Sequence, residues 1–137
     1  MNKISTLTTK IIVSINEFSL ISLKINELNF PIKRHRLTDW LNKDEPTFCC
    51  IQETHLSDKD KYYLRVKGWK TNFQANGPKK QAGVAILILN NIDFQPKDIK
   101  KDKEGHLILI KGKIYQDEHL YYTLNHLYSK CKGIHIH

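Results

Sequence analysis

Apolar and polar positions alternate along much of the chain, and the period of that alternation predicts its elements. Ile21, Leu23 and Ile25 alternate with Leu20, Ser22 and Lys24, a period of two that predicts a strand delivering Asn26 to its C-terminal end. Asn29 and Pro31 punctuate the start of a helix running to about Lys43. Its apolar face is Ile32, Leu37, Trp40 and Leu41, and its other face carries Lys33, Arg34, His35 and Arg36. Pro46 stops that helix, and residues 47–51 form a short apolar run that reads as a buried strand with Gln52 and Glu53 at its tip.

Beyond Glu53 the chain turns polar, and residues 61–66 are expected to hold a short helix. Gly68 breaks it before Trp69, Thr71 and Phe73, which alternate as a strand with Lys70 and Asn72 on the other side. Asn76, Gly77 and Pro78 make a turn, extended by Lys79 and Lys80. Residues 83–89 are continuously apolar, the signature of a central strand covered on both faces. Residues 97–104 read as a charged connection. Residues 107–110 and 120–127, with a turn near Gln116 and Asp117, read as a hairpin. The first ten residues are expected to fray, and residues 129–137 have no readable period. Short strands separated by turns, with one or two helices, imply an α+β domain.

Composition adds bounds. With 137 residues, 40% apolar and 26% charged, the chain has room for one modest core and is not of disordered composition. Lys and Arg number 22 against 14 Asp and Glu, a formal charge of +8, so the expected partner is a polyanion, nucleic acid first. The three cysteines, Cys49, Cys50 and Cys131, are odd in number and two are adjacent. That pattern suits neither a disulfide framework nor a CxxC metal site. A reducing, intracellular setting, nuclear or cytoplasmic, and no disulfide-linked partner are the expectation. No stretch approaches the roughly 18 apolar residues of a membrane span, and residues 11–23 are interrupted by Asn16, Glu17 and serines, which speaks against a secretory signal or membrane anchor.

Glu53 is the residue best placed for chemistry. A carboxylate at the rim of a buried strand suits a hard divalent cation such as Mg²⁺, with the strand-end Asn26 able to supply a neutral oxygen or orient a phosphate. The residues alone do not separate that from a solvated strand-end glutamate. His135 and His137 share the i, i+2 spacing of one strand face, but the sequence places no third ligand beside them. Cys49 and Cys50, inside a strand, are expected to pack as small hydrophobes. His35, among Lys33, Arg34 and Arg36, reads either as part of a phosphate-facing cluster or as a solvated helix face. Basic residues interleaved with polar and aromatic ones over residues 67–80 could contact a nucleic-acid backbone. No helix-turn-helix, zinc-finger or RRM signature is present.

Six segments carry a further signal: Leu23-Lys-Ile-Asn26, Pro31-Ile-Lys-Arg-His-Arg-Leu37, Cys50-Ile-Gln-Glu-Thr-His-Leu56, Gln74-Ala-Asn-Gly77, Ala82-Gly-Val-Ala-Ile-Leu87 and Lys103-Glu-Gly-His106. In this order and spacing they resemble the N-terminal endonuclease domain of mammalian long interspersed element (LINE) retrotransposons, within the endonuclease/exonuclease/phosphatase superfamily. The resemblance implies a Mg²⁺-dependent DNA endonuclease on a four-layer α/β sandwich of the deoxyribonuclease I type. It maps metal-holding roles onto Asn26 and Glu53 and a role near the scissile phosphate onto Tyr128. Lys33, Arg34, Arg36, Asn76, Lys79 and Lys80 become the expected DNA contacts.

The same resemblance marks departures. The family's Asp-x-Asn pair, a later Asp and a terminal Ser-Asp-His have no counterpart in this sequence, the segment around Tyr128 lacks Ala-Pro-Asn, and Glu27 stands where a Gly is usual. The expected organisation is therefore an extra N-terminal segment, 1–19, an N-terminal half of the family domain, 20–128, and a divergent tail, 129–137. A half-sandwich is expected to leave the apolar strand over residues 84–89 exposed unless another fragment supplies the missing strands. The functional expectation is a truncated DNA endonuclease domain lacking activity. The alternative is a non-catalytic basic DNA-binding module or a non-functional remnant.

Overall fold

The computed structural model describes residues 10–15, 18–117 and 119–130. Among the described residues, eight strands and one α-helix follow one another: β1 (Lys10–Ile15), β2 (Phe18–Lys24), α1 (Pro31–Asp44), β3 (Phe48–Gln52), β4 (Trp69–Ala75), β5 (Val84–Leu89), β6 (Asp93–Lys101), β7 (Leu107–Gln116) and β8 (His119–Lys130). Strands β2 and β3 run parallel, so they need the crossover that α1 provides. Antiparallel β1, β5 and β4 complete a five-stranded sheet in the order β1-β2-β3-β5-β4. Strands β6, β7 and β8 form a separate antiparallel sheet.

Helix α1 begins with Pro31 in its first turn and ends at Glu45, whose left-handed backbone (φ 42°) lets its N–H donate to Leu41 O at 2.8 Å before Pro46 prevents continuation. Leu37 and Leu41 are buried and Trp40 packs beside them, but Ile32 is 61% exposed. Ile32 is five residues before Leu37, and at about 100° per residue that spacing rotates it off the buried face. Lys33 and Arg34, four and three residues before Leu37, fall on the inner side instead.

The five-stranded sheet is covered twice, because successive side chains point to opposite faces. Cys49, Ile51, Ala85 and Leu87 face α1 and join Leu37 and Leu41 in one core. Phe48, Cys50, Val84, Ile86 and Ile88 face the second sheet and meet Phe94, Ile108, Ile110, Ile114 and Leu127. Each fully buried Leu or Ile contributes about 1.5–3 kcal/mol. Val84 to Ile88 are therefore not exposed, as a half-sandwich was expected to leave them; the β6–β8 sheet supplies the missing cover. The adjacent cysteines fall one in each core, both as free thiols. Burial pushes Cys50 up to about 12, and burial together with neighbouring Cys50 raises Cys49, so both thiols are held neutral in their cores.

The architecture is α+β, in three packed layers: α1, the five-stranded sheet and the three-stranded sheet. The charged stretch expected to be a connection is strand as far as Lys101: β6 pairs with β7 along its length, and a register shift between Pro96 and Asp98 absorbs the proline. The helix expected over residues 61–66 is an earlier 3-10 turn, Asp58–Tyr63, started by a capping box between Ser57 and Asp60. Strand β8 continues through Lys130, and Ser129, expected in a divergent tail, is buried. The first nine residues, Cys131, His135 and His137 lie outside the described residues. No helix among the described residues is long and apolar enough to cross a membrane.

Candidate active site

Past the sheet, the ends of β2 and β3 continue as a backbone ladder. The N–H groups of Ile25, Glu27 and Leu28 donate to the carbonyls of Gln52, Glu53 and Thr54 at 3.0, 2.8 and 2.7 Å. On the other side, Thr54 and His55 donate to the carbonyls of Gly83 and Ala82 at 3.0 and 2.7 Å. Three loops thus meet at one corner, with Asn26 beside Glu53 across the ladder.

The backbone of this corner is left-handed to an unusual degree. Asn26 (φ 57°), Glu27 (85°), Glu53 (60°), His55 (55°) and Ala82 (54°) are all positive, as is Gly83 (89°). Outside glycine that conformation costs about 1–2 kcal/mol per residue, and such cost gathers where a site needs its backbone held in one shape. Gly83 is doubly constrained, since a Cβ there would also collide with Thr54 Oγ1.

Glu53 points a carboxylate, 18% exposed, into this corner. Its Oε2 lies 3.1 Å from His55 Nε2, while His55 Nδ1 lies 3.8 Å from Glu27 Oε1. The imidazole therefore stands between two carboxylates and anchors one oxygen of Glu53. The second Glu53 oxygen has no hydrogen-bonding or ionic partner among the described residues. Those residues contain no cluster of three or more His, Cys, Asp or Glu side chains able to cage a metal. One available carboxylate oxygen does not fit structural zinc, which needs four protein ligands; a hard divalent cation that keeps most of its waters asks for no more than one or two carboxylates.

The basic side chains of α1 serve this corner from inside. Lys33 Nζ donates to Asn26 O at 2.6 Å, and Arg34 Nη1 donates to the carbonyls of Leu28 and Asn29, both at 2.8 Å. The Arg34 guanidinium also stacks 4.4 Å from the Tyr63 ring centroid. Both residues therefore hold the loop that carries Asn26. Arg36 is half-buried, and His35 is exposed, 3.6 Å from Asp39. Asn76 is half-buried and donates to Gln74 Oε1 at 3.0 Å. Lys79 and Lys80 are exposed, Lys80 lying 3.7 Å from Asp60.

Tyr128 lies on the face of β8 opposite Ser129. It is 45% exposed, and its neighbour Ser129 points the opposite way, towards β3. Ser129 Oγ donates to Ile51 O at 2.8 Å and accepts from Gln52 Nε2 at 3.2 Å, so strand alternation aims Tyr128 away from that sheet. The residues the sequence reading underweighted are Glu27 and His55. Their signal was local: a histidine two residues past the strand-end glutamate, and an acid where the family carries glycine.

Residues 17–128 match the Endonuclease/Exonuclease/phosphatase family, which is most of the chain. Among solved structures, the AP endonuclease LMAP from Leishmania major superimposes with a TM-score of 0.58 at 14% identity, covering 80% of this chain and 41% of that one. The chain thus spans about two fifths of that protein's length, and at such identity the likeness concerns the fold. With the strand-end glutamate, the two packed sheets and the family match over residues 17–128 in agreement, the chain belongs to the endonuclease/exonuclease/phosphatase family.

Proposed function

We propose that this chain carries the metal-holding corner of a LINE-type DNA endonuclease site, binds DNA electrostatically, and does not hydrolyse phosphodiester bonds by itself. The observation that carries this reading is Glu53: a sparsely exposed carboxylate at the ends of two parallel strands, one oxygen anchored by His55 and the other available. The six ordered segments supply the LINE-type assignment.

Glu53 would hold Mg²⁺, with Asn26 in the adjoining loop as its expected second ligand, and the ion would stabilise charge on a phosphate oxygen. The protein's own groups set the geometry. His55 fixes the Glu53 carboxylate, and Lys33, bonded to the Asn26 carbonyl, fixes the neighbouring loop. Hydrolysis also needs a base to activate water and a group at the leaving oxygen. The family's residues for those roles, Asp-x-Asn and Ser-Asp-His, are absent from the sequence. With Lys33 and Arg34 bonded to loop carbonyls, Lys79 and Lys80 are the better-placed phosphate contacts.

Purified protein should leave supercoiled plasmid intact with Mg²⁺, indistinguishable from Glu53→Ala and from an EDTA control. Duplex affinity should fall steeply with salt, as expected where Lys and Arg release phosphate counterions. Nicking that requires both Mg²⁺ and Glu53 would overturn the proposed inactivity. Absence of any salt-dependent DNA binding would overturn the DNA-directed reading.

A further inference from the structure

A second groove lies outside the Glu53 corner, between the 3-10 turn and β4. It encloses about 520 Å³, within the range of clefts that hold small organic ligands. Tyr62 in its wall is 62% exposed, the most exposed large apolar or aromatic side chain among the described residues. The Lys61 ammonium and the Arg65 guanidinium lie 5.2 and 5.4 Å from its ring centroid, and Lys101, at the end of β6, adds a third cation. Asp58 is the groove's one carboxylate.

The polar side chains that also line the groove have a fixed orientation. Gln74 Nε2 donates to Thr71 O at 2.7 Å and to Lys61 O at 3.2 Å, which leaves Gln74 Oε1 to accept from Asn76 Nδ2 at 3.0 Å. Asn76 Oδ1 is consequently a buried acceptor with no partner among the described residues. The groove and the Glu53 corner stand on adjoining loops, since Ser57 pairs with Gly77 directly after Asn76.

An exposed aromatic ring that already carries cations over it, in a groove with a third cation, is a combination that recognises unpaired nucleotides. A base face takes the place of the cations on the ring, and the displaced cations meet its phosphates. A base inside a duplex has both faces stacked and cannot use such a plate. We propose that this groove binds an unpaired nucleotide of single-stranded DNA, its base on Tyr62 and its phosphates on Lys61, Arg65 and Lys101. The proposal rests on the DNA-directed reading above and adds a single-strand subsite to it.

Fluorescence anisotropy with a labelled oligodeoxycytidine of about ten nucleotides, and with a mixed-sequence duplex of the same length, tests it. Tyr62→Ala should weaken single-strand binding about 5-fold or more, as loss of one stacking platform does, while duplex binding stays within about twofold. Tyr62→Phe should bind as the unaltered protein does, because it keeps the ring. Lys101→Ala should lower the salt dependence of single-strand binding by about 0.7 in logarithmic slope, one phosphate contact. Since Tyr62 is exposed, these variants should keep the parent circular-dichroism spectrum. Duplex binding without single-strand binding, or single-strand binding indifferent to Tyr62→Ala, overturns the subsite alone. Failure to bind either DNA overturns the DNA-directed reading with it.

Discussion

Strands β5 and β6 follow one another in the chain and are held by different forces. In β5 the residues from Val84 to Ile88 are all buried, because the strand lies inside the five-stranded sheet with α1 over one face and the second sheet over the other. In β6 only Phe94 is buried, and the strand lies at the edge of the three-stranded sheet. Burial accounts for β5. Backbone pairing to β7, pinned by Phe94 at one end, accounts for β6. The composition of β6 has a use of its own: Pro96, Lys97, Lys100 and Lys101 on an edge discourage further strands from adding to it.

The sharpest way to break this comparison is to truncate one side chain in each strand. Leu87→Ala, at a position 0% exposed, should cost about 2–5 kcal/mol in chemical denaturation. Ile99→Ala, at 39% exposed on β6, should cost no more than about 0.5 kcal/mol. Equal losses would mean that the β6 edge, where Ile99 shares the face of buried Ile110, is covered in solution.

A smaller effect of opposite sign is expected where strand gives way to site. Glu27→Gly puts the residue that tolerates φ 85° into that position and should stabilise the fold by about 1 kcal/mol. It also removes the carboxylate facing His55 Nδ1. No gain, or a loss, in thermal unfolding would mean that the Glu27–His55 contact outweighs the backbone strain.

The smallest effect belongs to the surface turn. The Ser57 hydroxyl bonded to Asp60 holds the Asp60 carboxyl below the usual aspartate range against the opposing effect of desolvation, helped by the Ser57 backbone N–H and then by nearby Lys80. A carboxyl depressed in the folded state stabilises above its unfolded value, and that contribution is lost as pH falls through the folded one. Ser57→Ala should therefore raise the Asp60 titration midpoint measured by NMR, and should remove part of the protein's stability loss below about pH 4. An unmoved midpoint would mean that the Ser57 backbone N–H and Lys80 set it.

Where burial imposes a period, the elements were legible from the residues. The alternation through Ile21, Leu23 and Ile25, the continuous run ending at Leu89, and the Asn29–Pro31 punctuation all correspond to β2, β5 and α1. Elements held by backbone pairing were not legible, because pairing leaves no side-chain period, and charged β6 resembled a loop for that reason. The 3-10 turn was misplaced by a few residues, since its start is set by the Ser57–Asp60 box and not by an apolar stripe.

The site divides along the same line. The candidate metal ligand was visible in sequence, because Glu53 ends an apolar run and sits inside Gln-Glu-Thr-His. The placement of the basic residues was not: Lys33 and Arg34 read as expected DNA contacts, yet the phase of α1 turns them inward onto the Asn26 loop. Tyr128 and Ser129 are neighbours that only strand register could assign to opposite faces.

By itself, then, the sequence determined which segments must be buried, the strand-end position of Glu53 and the excess of positive charge, because local period and residue chemistry are sufficient for those. Only the tertiary structure decided that two sheets cover each other's apolar faces, that His55 stands between Glu53 and Glu27, and that Tyr62 opens onto a groove completed by β4 and the end of β6. Each of these depends on how loops distant in sequence meet, and pairing between distant backbones has no signature in any one of them.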